Sequence, residues 1–184
     1  EWYRNNRREM PWREEPTPYH VWLSEIMLQQ TRIEAVLPYY ERFLRELPTI
    51  EALAAVPEDK LMKLREGLGY YSRARNLKKA AELLVSSYGG MLPEQASELR
   101  KLPGIGDYTA GAIASIAFGQ PEPAVDGNVL RVYMRLIACD NDIMQAKTKA
   151  EVIRSLRKLY PSGQEAAYLT EGLMELGEII CIPN

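Results

Sequence analysis

The sequence predicts an all-α fold built from about ten short helices. Apolar side chains recur at helical spacing, as in the repeat Val36, Tyr40, Phe43, Leu44 and Leu47. No stretch alternates with the period of a strand over more than a few residues. Because 46% of the 184 residues are hydrophobic, the chain can bury the core of one large domain or two small ones.

Proline and glycine delimit the predicted helices. Met10-Pro11-Trp12-Arg13 breaks the first helix, and Pro16 and Pro18 keep the following segment extended. Thr17 and Ser72 are candidate helix starts, because a hydroxyl can accept from a free N–H of the first turn. The predicted helices span residues 1–8, 21–30, 33–47, 48–56, 57–65, 72–88, a short helix ending at 102, 108–118, 129–138, 147–160 and 164–181.

The composition narrows the class of protein. Cys139 and Cys181 lie far apart, which is no disulfide scaffold and indicates a reducing compartment. No apolar run approaches a membrane span and no signal peptide is evident, so we expect no membrane partner. The net charge of −2 argues only mildly against nucleic acid, because a local basic patch matters more than the total. The abrupt start at Glu1-Trp2-Tyr3 suggests a trimmed chain.

A tight turn, Leu102-Pro103-Gly104-Ile105-Gly106, joins two predicted helices. Its two glycines permit left-handed backbone angles and leave N–H groups uncovered at the start of the next helix, where the helix dipole favours an anion. An ordinary helix turn has the same pattern. Asp126-Gly127-Asn128 then opens a further helix, and Asp126 is at least its N-cap.

Two carboxyl groups have contrasting surroundings in the sequence. Glu25 has Val21, Trp22 and Leu28 as neighbours on one helix face, which predicts a raised pKa suited to a general acid. A surface glutamate on a half-buried helix is the alternative. Asp126 precedes a helix, whose free N–H groups favour its charged form. One neutral and one ionised carboxyl is the pattern that separates an acid from an electrostatic stabiliser or nucleophile.

These motifs carry a family resemblance. The turn followed by Asp126 resembles the helix-hairpin-helix DNA glycosylases, and residues 22–31, WLSEIMLQQT, resemble the adenine DNA glycosylases of the MutY type almost letter for letter. The resemblance runs over nearly the whole chain. It implies an all-α, helix-hairpin-helix glycosylase fold with two helical lobes and a DNA-binding cleft. Residues 19–121 would form the barrel lobe with the hairpin, and residues 1–18 with 122–184 the second lobe.

The resemblance also implies an activity. A base-excision repair enzyme of this family extrudes adenine mispaired with 8-oxoguanine or guanine and hydrolyses its N-glycosidic bond. Glu25 would be the acid, Asp126 would stabilise the positive sugar, and Asn128 would orient Asp126. Tyr108 stands where bifunctional relatives carry a lysine, which implies base release without strand cleavage.

By the same resemblance, further residues are assigned to DNA and to the flipped base. Gln30 and Tyr70 would fill the duplex, because a flat amide and an aromatic ring suit the gap that base extrusion leaves. The residues assigned to DNA are Gln30, Thr31, Tyr70, Arg73, Arg75, Gly104 and Gly106. A basic flank for phosphates would consist of Arg73, Arg75, Lys78 and Lys79, and a solvated helix face is the alternative. Those assigned to the adenine pocket are Arg8, Trp12, Arg13 and Glu171. The partner would be double-stranded DNA with adenine–8-oxoguanine or adenine–guanine mispairs, bound by a monomer in the bacterial cytoplasm (nucleoid), or in a eukaryotic nucleus or mitochondrion.

The family usually carries a 4Fe-4S cluster held by four cysteines. Glu178-Ile179-Ile180-Cys181 matches the approach to the first ligand, and the other three cysteines are missing from these residues. Either the parent protein continues and carries the cluster, or the chain belongs to a clusterless branch. We expect truncation, and therefore no stoichiometric iron in these 184 residues.

Two other functions fit the motifs. Another glycosylase of the same fold could act on thymine or on an oxidised pyrimidine, although Glu25 and Tyr108 speak against the lyase type. A non-catalytic hairpin module could bind only the DNA backbone. Such a module would need no acid in its pocket.

Overall fold

The structure is a computed structural model that describes residues 1–64, 66 and 71–183. Within those ranges the chain forms twelve α-helices and one π-helical segment, with no strand, which confirms the all-α class. The helices are α1 (Trp2–Asn6), α2 (Pro11–Glu14), α3 (Pro18–Leu28), α4 (Ile33–Glu46), α5 (Ile50–Ala55), α6 (Glu58–Leu64), α7 (Tyr71–Ser87), α8 (Ala96–Leu99), α9 (Asp107–Ala112), α10 (Gly127–Leu136), α11 (Ala146–Arg157) and α12 (Gln164–Ile179). The π-helical segment, Ile113–Ala117, continues α9.

The prolines near the N-terminus start helices rather than interrupt them. Pro11 opens α2 where a break was predicted, and Pro18 opens α3 where an extended segment was predicted. A proline lacks only an N–H that the first turn does not need, and its fixed φ suits that position. Thr17 is the N-cap of α3, with its hydroxyl accepting from the His20 N–H at 3.2 Å. The predicted cap at Thr17 is therefore confirmed.

Two clusters of buried apolar residues lie in the described part of the chain. The first includes buried side chains between Met10 and Ala114, and the second includes buried side chains between Val125 and Leu173. Trp12 packs in the first cluster, with its ring edge-on to Tyr40 at a centroid distance of 5.1 Å. The assignment of residues to two lobes stays a prediction.

The hairpin between α8 and α9 uses only one of its glycines for a left-handed turn. Gly104 has φ +80°, whereas Gly106 has φ −91° and an extended backbone. Ile105 is buried between them and anchors the turn to the core. The left-handed angle that the sequence permits at both glycines is therefore adopted by Gly104 and not by Gly106.

α12 contacts α1, α10 and the π-helical segment, while α3 contacts α9. This packing brings the C-terminal half of α3, the start of α9 and the N-terminus of α10 to one side of α12. No helix among the described residues is both long and apolar enough to cross a membrane.

Candidate active site

Both carboxyl groups singled out in the sequence line the same cavity. It has a volume of about 460 Å³ and is walled by α2, α3, α10 and α12. A second cavity, of about 590 Å³, opens beside the hairpin and includes Gly106 and Lys149 in its walls. Glu25, Tyr108 and Asp126 line both cavities, so they lie where the two spaces meet.

Glu25 is buried, with 8% of its surface exposed, among the apolar residues of α3. Burial is the main cause that raises the pKa of its carboxyl, to about 7; a hydrogen bond from Tyr108 acts to lower it, and the charge of Asp126 acts to raise it. The raised pKa predicted from its helix neighbours is confirmed. The protonated form is therefore accessible near neutral pH, which suits a proton donor.

Asp126 is the N-cap of α10. Its Oδ1 accepts from the Val129 N–H at 2.8 Å, and its Oδ2 accepts from Nδ2 of Asn128 at 3.2 Å. Burial nevertheless raises its pKa above the ordinary value, with these donors acting in the opposite direction. The sequence predicted the favourable donors and missed the desolvation that outweighs them.

Arg131 ties this cap to the end of α12. Its guanidinium donates to Oδ1 of Asn128 at 2.7 Å and to the carbonyl oxygens of Gly177 and Cys181 at 2.7 and 2.6 Å. A Cβ on Gly177 would lie 2.5 Å from that of Asn128, so only glycine allows α12 to pack this closely. Sequence reasoning missed Arg131. The available signal was its position one turn after Asn128 on α10.

Tyr108 reaches the site from the first turn of α9. Its hydroxyl lies 3.7 Å from Sδ of Met174 and also faces the Glu25 carboxyl. Burial and the neighbouring carboxylates raise the pKa of this phenol well above its ordinary value, so it stays protonated and can donate.

A buried glutamate organises the arginines of the first cavity. Oε1 of Glu175 accepts from Nε of Arg8 at 2.6 Å, and its Oε2 accepts from Nη2 of Arg13 at 2.9 Å. Burial alone would raise the pKa of Glu175, but these two arginines lower it to about 2. Arg8 also pairs with Glu178 at 2.8 Å. Sequence reasoning missed Glu175, although it follows Glu171 by one turn on a helix with apolar neighbours.

The predicted adenine-pocket residues come together in the structure. Arg8, Trp12, Arg13 and Glu171 all line the first cavity. Nε of Arg13 lies 3.4 Å from Oε1 of Glu171, in addition to its bond with Glu175. Burial raises the pKa of Glu171, and the charge of Arg13 acts against that rise.

Gln30 lies at the rim of both cavities, after the end of α3. Its φ of +58° is in the left-handed region, a strained conformation for a residue with a side chain. Nη2 of Arg73 donates to its Oε1 at 2.7 Å, and Arg73 also donates to the carbonyl of Gln29. Thr31 turns its hydroxyl back to that same carbonyl, at 3.3 Å.

The predicted basic flank is largely paired within the protein. Arg75 forms an ion pair with Glu58 at 2.8 Å, and Lys78 donates to the Ala54 carbonyl and pairs with Glu82. Tyr70, the second predicted wedge, lies outside the described residues. Lys149 on α11, which sequence reasoning did not single out, lines the second cavity.

The described residues contain no group of three or more His, Cys, Asp or Glu side chains arranged to hold a metal ion. Sγ of Cys181 lies 3.1 Å from Nη1 of Arg135. The whole sequence has two cysteines, so the residues present do not fit a cluster held by four thiolates.

Comparisons with known proteins agree with this geometry. The HhH-GPD family, described as "HhH-GPD superfamily base excision DNA repair protein", matches residues 23–162. An adenine DNA glycosylase of Buchnera aphidicola is 38% identical over 100% of this chain and 52% of its own length. The adenine DNA glycosylase of Homo sapiens is 39% identical over 100% of this chain and 35% of its own length. The chain thus spans about half the length, or less, of these relatives.

Solved structures are similar as well. A thermostable thymine-DNA glycosylase superposes with a TM-score of 0.89 at 30% identity, covering 100% of this chain and 84% of that one. A non-covalent endonuclease III–DNA complex gives 0.77 at 30% identity, covering 91% and 77%. The predicted helix-hairpin-helix glycosylase fold and the resemblance to adenine DNA glycosylases are confirmed. The chain belongs to the HhH-GPD superfamily of base excision DNA repair proteins.

Proposed function

We propose that this chain forms the catalytic part of an adenine DNA glycosylase that hydrolyses the N-glycosidic bond and leaves the DNA strand intact. The observation that carries the proposal is the meeting of Glu25 and Asp126 at the junction of two cavities. One cavity is large enough for a purine, and the other opens beside the hairpin. The adenine activity of the full-length relatives supports the same assignment.

In the proposed reaction, Glu25 donates its proton to a ring nitrogen of the extruded adenine. Protonation converts the base into a better leaving group, and a pKa of about 7 supplies the proton near neutral pH. As the bond breaks, positive charge develops on the sugar, and the carboxylate of Asp126 stabilises it. Glu25, now ionised, takes a proton from the attacking water.

The pocket wall would recognise the base. Arg13 and Glu171 supply a donor and an acceptor, and Trp12 supplies an apolar surface. Arg8 is held by Glu175 and Glu178, so we assign it to the framework of the pocket rather than to direct contact with the base. Adenine carries an exocyclic amine and ring nitrogens that complement such a pair.

On the DNA side, we propose that Gln30 enters the duplex, since its strained turn presents an amide at the cavity rim. Tyr70 keeps the same proposed role from its sequence motif. Gly104 and Gly106 of the hairpin, with Arg73, Arg75 and Thr31, would follow the phosphate backbone. The proposed partner is duplex DNA with adenine opposite 8-oxoguanine or guanine, bound by a monomer in the bacterial nucleoid or in a eukaryotic nucleus or mitochondrion.

A 4Fe-4S cluster in a longer parent protein is part of the proposal, with Cys181 as its first ligand. The ligands in this chain do not suffice to hold it, and no catalytic step above involves it.

A second candidate is release of thymine, because a thermostable thymine-DNA glycosylase covers the whole chain with a TM-score of 0.89. A single-turnover assay on matched duplexes separates the two. We expect release of adenine opposite 8-oxoguanine and guanine, and no release of thymine opposite guanine. Release of thymine without adenine would assign the second function, and binding without any release would assign a non-catalytic hairpin module.

A further inference from the structure

Tyr3, on α1, is a buried residue beside the first cavity that the proposed reaction does not use. Its hydroxyl has less than 1 Å² of exposed surface and no partner of standard hydrogen-bond geometry. The carboxyl that faces it is that of Glu171. A buried donor beside a buried carboxylate, with no other acceptor in place, points to an interaction between the two.

The guanidinium of Arg13 lies over the ring of Tyr3. Cζ of Arg13 lies 5.6 Å from the ring centroid, and Nε of the same arginine lies 3.4 Å from Glu171. Arg13 thus contacts both Tyr3 and Glu171, which places the three side chains together beside the pocket wall. A Cβ on Gly172 would lie 3.2 Å from that of Tyr3, so α1 and α12 are in direct contact at this point.

We infer that Tyr3 is a positioning residue for base recognition, donating its hydroxyl to one oxygen of Glu171 while its ring holds Arg13 in place. This inference rests on the proposed function, because it assigns Glu171 as the acceptor for the exocyclic amine of adenine. Tyr3 and Arg13 together use only part of the acceptor capacity of the carboxylate, so it can still accept from an amine in the cavity. A protonated Glu171 is an uncharged and weaker acceptor, so its contact with the amine is weakened.

The charges around Glu171 decide its protonation. Burial raises its pKa, and the hydroxyl of Tyr3 is one of the groups that lower it. The other charged groups facing it are Arg7, Arg13, Glu175 and, across the cavity, Glu25. Adenine release needs Glu171 ionised and Glu25 protonated, so activity falls below the pKa of Glu171 and above that of Glu25. Removing the Tyr3 hydroxyl raises the pKa of Glu171. The acidic side of the pH–rate profile therefore moves to higher pH, and the alkaline side, which depends on Glu25, stays in place.

The test compares the parent chain with Tyr3→Phe, which removes the hydroxyl and keeps the ring. Single-turnover base release is measured from pH 5 to 9 on two duplexes. One carries adenine at the target position, and the other carries unsubstituted purine, which lacks the exocyclic amine. We expect adenine release by Tyr3→Phe to fall about tenfold on the acidic side, with purine release unchanged. Tyr168→Phe is the matched control, because the ring centroid of Tyr168 lies 6.0 Å from that of Tyr3. This substitution also removes one hydroxyl and should leave both release rates unchanged.

Equal loss on adenine and purine, or no loss on either, would overturn the inference. A second readout does not depend on turnover. The ¹³C shift of the Glu171 carboxyl, titrated in parent and Tyr3→Phe, should report a higher pKa in the variant, and an unchanged pKa would also overturn it. If the parent releases no adenine, the proposed function fails, and this titration still decides the role of Tyr3.

Discussion

The side-chain amide of Asn128 donates to Oδ2 of Asp126 over 3.2 Å. The orientation of that amide is fixed because its oxygen accepts from Nη2 of Arg131 at 2.7 Å. A flipped amide would turn its oxygen toward the carboxylate of Asp126 and repel it. The same arginine holds the last turn of α12, so the geometry of the catalytic cap depends on a contact between two helices.

We therefore expect Arg131→Met to lower single-turnover adenine release by about tenfold, because Asn128 is then free to rotate. DNA binding should change little, since Arg131 lines neither cavity. Arg135→Met is the matched control, as Arg135 follows one turn later and bonds Cys181 and the Ile182 carbonyl. Equal losses in the two variants would contradict the role of Arg131.

The buried carboxyl of Glu25 should cost stability at high pH. Its pKa is about 7 in the folded protein and near 4.5 when unfolded, so the folded state retains a proton that the unfolded state releases between those values. The cost is absent below pH 4.5, grows as the pH rises to 7, and reaches ~3 kcal/mol.

Glu25→Gln should accordingly raise the free energy of unfolding at pH 8 and have little effect at pH 4. Urea denaturation at both pH values measures the difference. Glu41→Gln, at an exposed position of α4, is the control and should show no such pH dependence. A Glu25→Gln protein that is no more stable at pH 8 than at pH 4, relative to the parent, would contradict the raised pKa.

Base release should occur without strand cleavage, because Tyr108, at the position where bifunctional relatives carry a lysine, offers no amine to the sugar. Borohydride treatment during turnover should trap no covalent protein–DNA adduct, whereas Tyr108→Lys should form one. An adduct with the parent would contradict this expectation. If such an adduct formed, Lys149 would be the first candidate for the reacting amine, because it lines the second cavity, and it would be substituted first.

The basic residues should differ in how much each contributes to the salt dependence of DNA binding, because some are already paired within the protein. The logarithm of the DNA association constant falls linearly with the logarithm of the salt concentration. Lys149→Ala should make this slope less steep by about 0.9, which corresponds to the loss of one phosphate contact. Arg75→Ala should alter the slope less, because Arg75 is already paired with Glu58. Gln30→Ala should slow base release and leave the slope unchanged. Similar slopes for Lys149→Ala and the parent would exclude Lys149 from the interface.

The sequence predicted the parts of the site that depend on local chemistry. The apolar face around Glu25 predicted its raised pKa, and the N-terminal position of Asp126 predicted its hydrogen bonds. Of the missed residues, Glu175 bonds Arg8, 167 positions away, and Tyr3 faces Glu171 from the other end of the chain. Arg131 bonds its near neighbour Asn128, but its bonds to the end of α12 span 46 and 50 positions. Only the packing of α12 against α1 and α10 brings those partners together, and periodicity carries no information about that packing.

In the proposed reaction, Glu25 supplies the proton that releases adenine. The most direct measurement is single-turnover release from a duplex with adenine opposite 8-oxoguanine, by parent and Glu25→Gln, with binding to the same duplex measured in parallel. We expect the parent rate to fall as the pH rises through about 7, as Glu25 ionises. We expect Glu25→Gln to bind like the parent and to release base at least about a hundredfold more slowly. Turnover by Glu25→Gln within a few-fold of the parent would contradict Glu25 as the proton donor.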